Sequence, residues 1–134
     1  MAGPLSVYDI AGRAMSAQML RLNTTASNLA NAGTVAGSKE AAFRSIKPIF
    51  TAVNESPGIA TVKVERIVTA SADPIRRHAP DHPLADKNGD VWDAAVDSAA
   101  EMVEMMETAR QYQNNVQVMQ TAKSLTLDTL RIGK

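Results

Sequence analysis

The chain has 134 residues, 14 basic and 14 acidic side chains, no cysteine, and only one Trp, two Tyr and two Phe. That length holds one modest domain, and zero net charge argues against a nucleic-acid binder, which carries a basic excess, and against a polybasic membrane patch. Without cysteine there is no disulfide framework and no thiolate metal site; the aromatic shortage leaves Ala, Met, Val and Leu to supply burial, which suits helices packed side by side.

The opening Met-Ala-Gly-Pro-Leu-Ser has neither the charged region nor the apolar core of a signal peptide. No apolar run approaches the roughly 18 residues of a membrane span. Five of the six prolines and four of the seven glycines lie between Gly33 and Gly89. Because Gly and Pro punctuate elements, this predicts two helical ends around an irregular, β-containing middle: residues 1–32, 33–90 and 91–134. The fold class is mainly α with a small β insert, its long terminal helices forming a coiled-coil pair.

The first helix is expected from about Ser6, where Ser6 and Asp9 resemble a capping box. Tyr8, Met15, Leu22 and Leu29 recur every seven residues, with Met19 and Ala26 in the next row, a heptad-like seam. Gly12 within it costs about 1 kcal/mol. Asn31 to Gly33 suits a left-handed stop. In the middle, Ile49–Val53 and Thr61–Val68 read as short strands joined through Asn54–Gly58. Lys87-Asn88-Gly89-Asp90 reads as a turn, with Asn-Gly favouring a primed hairpin type.

The last helix is expected from Trp92 or Ala94 to Ile132, ending at Gly133. Its stripe comprises Ala109, Tyr112, Val116, Met119, Lys123, Thr126 and Leu130, continued upstream by Met102 and Met105 or Met106, with Val96 and Val103 beside it. Acids crowd its first half, while Arg110, Lys123, Arg131 and Lys134 occupy the second, an order that offsets the helix dipole. Some 38 residues give a helix of roughly 55 Å, whereas a compact domain of this size is only about 35 Å across. Its stripe must therefore meet the first helix, another chain, or both.

Candidate chemistry is sparse. His78, Asp81 and His82 form a His-x-x-Asp-His cluster, but Pro80 and Pro83 place it in a loop without a rigid third ligand. Asp86, Asn88, Asp90 and Asp97 echo a calcium loop, yet Val91 stands where Gly is required. Nucleophile, P-loop and dinucleotide signatures are missing. Asn23-Thr24-Thr25 and Asn54-Glu55-Ser56 are sequons that carry no weight without a secretory signal. The methionines at helical spacing read as packing, within or between chains. Asn23, Ser27, Asn28 and Asn31 cover one flank of the first helix. They are either a solvated surface or a hydrogen-bonding strip between packed helices, where buried amides fix register.

At this strip a resemblance emerges. Ala17-Gln18, Arg21-Leu22-Asn23 and Ala26-Ser27-Asn28-Leu29-Ala30-Asn31-Ala32 closely resemble the N-terminal signature of bacterial flagellar rod and hook proteins. Pro83-Leu84-Ala85-Asp86, Val96-Asp97, Glu101-Met102-Val103 and Arg110-Gln111-Tyr112-Gln113-Asn114-Asn115-Val116 are similar to the proximal-rod branch of that family. Four positions depart from its pattern: Asp90 replaces an aromatic, Ala94-Ala95 replace Pro-Asn, and Asn114 replaces Ala.

The resemblance implies a structural subunit, not an enzyme, of the proximal rod, a hollow helical shaft in the periplasm that transmits torque and conducts exported subunits. It implies export by the flagellar type III apparatus without a cleaved signal. It implies partners among its own copies and other rod proteins, with the MS ring and export gate at one end and the distal rod at the other. No cofactor, nucleic acid, membrane insertion or small-molecule substrate is implied. The expected assembly residues are Tyr8, Met15, Leu22, Asn23, Asn28, Leu29 and Asn31 in the first helix and Val103, Met106, Tyr112, Val116, Met119 and Leu130 in the second. Their apolar members should be buried in packing, and the Asn residues should set lateral register. The competing readings are a soluble helical adaptor or export chaperone, and an enzyme using His78, Asp81 and His82.

Overall fold

Ser6 opens the first helix as the capping box predicts. Its hydroxyl accepts the Asp9 N–H at 3.2 Å, and the Asp9 carboxylate accepts the Ser6 N–H at 3.0 Å. In the computed structural model, which describes residues 6–133, helix α1 spans Val7–Asn31. The expectations placed on residues 1–5 and on Lys134 lie outside the described residues. The helix does not end on a left-handed residue, since Gly58 and Gly89 alone among the described residues have positive φ. Instead Thr34 folds back, its N–H and hydroxyl both donating to the Asn31 carbonyl.

Five strands follow: β1 (Val35–Ala36), β2 (Ile46–Ser56), β3 (Ile59–Thr69), β4 (Ile75–His78) and β5 (Asp90–Asp93). β2 and β3 pair as an antiparallel hairpin of eleven residues each, longer than the short strands that alternation predicts. The connection is tight, with Ser56 opposite Ile59. Pro57 fixes its φ and Gly58 supplies the positive φ of 78°. Register shifts at Ile49/Phe50 and Asn54/Ser56 sharpen the hairpin's twist.

The remaining strands form a second sheet in the order β1-β5-β4, which hydropathy did not indicate. Its central strand postpones the last helix. Val91 is fully buried, and the N–H groups of Ala94 and Ala95 donate to the carbonyls of Thr34 and Phe43. Asp97 then caps the helix, accepting the Ala100 N–H at 3.1 Å. Helix α2 therefore spans Ser98–Ile132 rather than beginning at Trp92 or Ala94.

The turn before β5 is not of the primed hairpin type, because Asn88 keeps negative φ. Gly89 alone is left-handed; its N–H closes onto the Asp86 carbonyl, while the Asp86 side chain accepts the N–H groups of Asn88 and Asp90. A Cβ on Gly89 would lie 3.0 Å from Pro80 Cβ.

The two helices pack antiparallel. Tyr8 Oη lies 3.5 Å from Thr126 Oγ1, Gln18 Nε2 donates to Gln111 Oε1 at 2.9 Å, and Arg21 Nε lies 3.4 Å from Glu104 Oε1. At 1.5 Å per residue α1 is about 37 Å long and α2 about 52 Å. The final turns of α2 thus run past the start of α1.

Candidate assembly interface

Helix α1 presents three faces. The face toward α2 carries Tyr8, Ala11, Met15, Gln18, Leu22, Thr25 and Leu29, alternating steps of three and four. Ala11 and Thr25 are buried, Met15, Leu22 and Leu29 are half-buried, and Tyr8 is exposed. On α2 the covered stripe comprises Glu101, Met105, Thr108, Tyr112, Asn115, Met119 and Ala122. It is rotated from the expected one. Tyr112, Val116 and Met119 are half-buried, but Lys123, Thr126 and Leu130 are exposed. Hydropathy misplaced the stripe because three of its members, Glu101, Thr108 and Asn115, are polar. Thr108 is fully enclosed, its hydroxyl donating to the Glu104 carbonyl at 2.7 Å.

The second face of α1 meets the hairpin through Arg13, Arg21 and Asn28. Arg13 Nη1 donates to Glu55 Oε1 at 2.6 Å and to Thr61 Oγ1 at 3.2 Å. The Arg21 guanidinium lies 4.5 Å from the centroid of the Phe50 ring while it pairs with Glu104. Asn28 is 1% exposed; its Nδ2 donates to the Ile46 carbonyl at 2.9 Å, and its Oδ1 accepts the Ile46 N–H at 2.8 Å. One side-chain amide thus replaces a neighbouring strand at the root of β2. Asn28 is thereby committed within the chain, not to a seam between helices. Asn31 folds back along its own helix, its Nδ2 donating to the Ser27 carbonyl at 2.8 Å. Asn23 faces outward on the third, uncovered face with Met19, Ala26 and Ala30.

The outward side of α2 is unusually apolar for an uncovered helix. Met102, Val103 and Met106 cluster near its start, with Val103 66% and Met106 68% exposed. Val118, Leu125 and Ile132 follow at seven-residue intervals, and Leu127 and Leu130 sit on the overhanging end. Side chains of this kind, grouped along one helix, mark a surface that another chain covers. The enclosed core of a single chain is correspondingly thin. Among the described residues its largest fully buried side chains are Val91, Asn28 and Thr108.

The residues considered for chemistry are occupied otherwise. His78 is the last residue of β4, not part of a loop, and its Nδ1 lies 2.9 Å from Asp90 Oδ1, while Arg76 Nε faces Oδ2 of the same carboxylate at 3.6 Å. His82 Nδ1 accepts the Leu84 N–H at 3.1 Å. No group of three metal-ligating side chains is gathered among the described residues. Across the same sheet, two hydrogen bonds from Arg77 hold the Asp93 carboxyl below its ordinary range. The backbone N–H of Asp90 does the same for Asp86, and that of Ser6 for Asp9. These charges fasten turns and strands.

Two long helices bearing an uncovered apolar row, with a hairpin fastened alongside, have the build of a structural subunit and not of an enzyme pocket. Comparison with known proteins gives the family. The model of the flagella basal body rod protein matches residues 9–37, and that of the C-terminal part of the flagellar basal body rod FlgEFG proteins matches residues 88–132. The chain is 44% identical over 132 residues to the flagellar basal-body rod protein FlgC of Escherichia coli O6:H1, covering 97% of this chain and 98% of that one. It is 43% identical to that of Salmonella typhimurium strain LT2 over the same shares, and 31% identical to that of Agrobacterium fabrum, covering 98% of this chain and 96% of that one. The chain belongs to the flagellar basal-body rod proteins, within their rod protein C branch. It is a non-enzymatic structural subunit of the flagellar basal body that assembles with other rod components. The readings as adaptor, export chaperone or histidine enzyme fall away.

Sequence reasoning missed Arg13 and Arg21 as site residues, although Arg21 stood within the signature. Their steps of eight and seven to Asn28 place all three on one helical face, a signal that a hydrophobicity scan does not register.

Proposed function

We propose that the chain builds the wall of the proximal rod, a hollow helical shaft in the periplasm that transmits torque and conducts exported subunits. Its helices α1 and α2, Val7–Asn31 and Ser98–Ile132, pack as coiled coils with copies of itself and other rod proteins. The central region, 33–90, lies outside them. The MS ring and export gate meet one end and the distal rod the other, and the chain reaches its place through the flagellar type III apparatus without a cleaved leader. Val103, Met106 and Leu130 are covered by neighbouring subunits, Leu22, Leu29, Met15, Tyr112, Val116 and Met119 back them, and Asn23 sets lateral register. Contacts that repeat without closing into a ring generate a helical tube.

The exposed apolar row of α2 is the observation that supports this reading. A photo-crosslinking side chain at Met106 or Leu130 in intact basal bodies tests it. Adducts with rod proteins are expected at both positions; a chain that stays uncrosslinked while present in the basal body contradicts it.

A further inference from the structure

The hairpin is fastened to the helices unevenly. Its root is locked by the buried Asn28 amide on Ile46. Its middle rests on the Arg21–Phe50 stack. Its tip is tethered through Arg13 to Glu55 and Thr61, and the side chains of Arg13 and Glu55 are 46% and 34% exposed. Between tip and α1 lies an open cleft of about 840 Å³ lined by Gly12, Ser16, Val53, Val62 and Val64 among others. The tip therefore stands on polar contacts beside an open cleft: of residues 54–61 Thr61 alone is buried, and its hydroxyl is tied to Arg13 and Glu55. Exposed ion pairs are weak and are screened by salt, whereas a buried amide pair is not.

We propose that the β2–β3 hairpin is a strap that pivots about the Asn28–Ile46 clamp, with the Arg13–Glu55 pair as its release point. With the pair closed, the hairpin lies along α1. With the pair open, the tip lifts, the cleft widens, and the valine face of β3 and the Gly12–Ser16 stretch of α1 become accessible. The clamp keeps the root in place throughout, so the strands stay paired. A strap of this kind lets one sequence present its hairpin at more than one angle to unequal neighbours. The inference concerns the isolated chain and does not depend on the rod assignment.

Distance measurements between spin labels test it in the full chain, which has no cysteine of its own. One pair joins Asn54→Cys at the tip to Gln120→Cys on α2; the other joins Lys47→Cys at the root to the same reference. At low ionic strength both pairs should show one narrow distance. In 1 M salt, where the Debye length is about 3 Å, or with Glu55→Gln, the tip pair should gain a longer distance whose population rises roughly two- to fivefold. The root pair should not change. The exchanged pair Arg13→Glu with Glu55→Arg should restore the low-salt distribution. The proposal is overturned if the tip distance ignores both salt and Glu55→Gln, if tip and root broaden together, or if the exchanged pair fails to restore the narrow distance.

Discussion

Removing the Asn28 side chain should be among the most damaging single changes to the isolated subunit. Asn28→Ala strands both the N–H and the carbonyl of Ile46, which the amide holds at 2.8 and 2.9 Å. An unsatisfied buried donor or acceptor costs about 1–3 kcal/mol each. Ile46 is only half-buried, so water recovers part of that, and the expected loss is about 3 kcal/mol. For a domain of this length, 1 kcal/mol moves the melting temperature by about 3–5 °C, which gives a fall near 10 °C by circular dichroism. Asn28→Leu fills the space without bonding and should lose a similar amount. Asn28→Asp keeps the acceptor for the Ile46 N–H but sets a second carboxylate oxygen against the Ile46 carbonyl. Its folded-state pKa is then raised, so the stability it retains is present below the unfolded value and is lost as pH rises through the folded one. Melting temperatures of Asn28→Ala and Asn28→Leu within about 2 °C of wild type, equivalent to about 0.5 kcal/mol, would refute the clamp.

Other substitutions probe separate parts of the account. Gln18 leaves its enclosed Oε1 without a partner between the helices, so Gln18→Leu with Gln111→Leu should be neutral or stabilising by about 1 kcal/mol, read in urea unfolding. Gly89→Ala should lower the melting temperature more than Gly58→Ala. Both residues have φ of 78°, but only at Gly89 does a Cβ meet Pro80 and His78. The Asp93 carboxyl is held low by Arg77. Its contribution is present above the unfolded value of about 3.9 and is lost as pH falls through the lower folded one. Acid unfolding curves of wild type and Arg77→Gln should accordingly differ at neutral pH and converge in strong acid.

Much of the architecture is legible in local chemistry. The Ser6–Asp9 box starts α1 where expected, because capping uses side chains within one turn. The heptad Tyr8, Met15, Leu22, Leu29 lies on the face that meets α2. The hairpin follows from alternation and from Pro57-Gly58. What escaped the sequence depends on distant partners. β5 is held by β1 and β4, some 55 and 12 residues away in the chain, and those pairings delay α2. Ala94 shows the cost of reading locally. It suits a helix, yet its N–H is spent on Thr34. The site was half legible for a similar reason. Helical periodicity marks apolar rows, but it does not separate the row covered by α1 from the row left outward. Nor does it show that Asn28 faces a strand, because a buried amide and a solvated one look alike in sequence.

The central claim is that the outward apolar row of α2 serves assembly and not the fold of one chain. Val103→Asp combined with Met106→Asp tests it most directly, since both side chains are about two-thirds exposed in the single chain. The account predicts a purified protein whose melting temperature stays within a few degrees of wild type, and cells that export the subunit yet build no rod and do not swim. Normal swimming with the doubly substituted protein present in isolated basal bodies would contradict it.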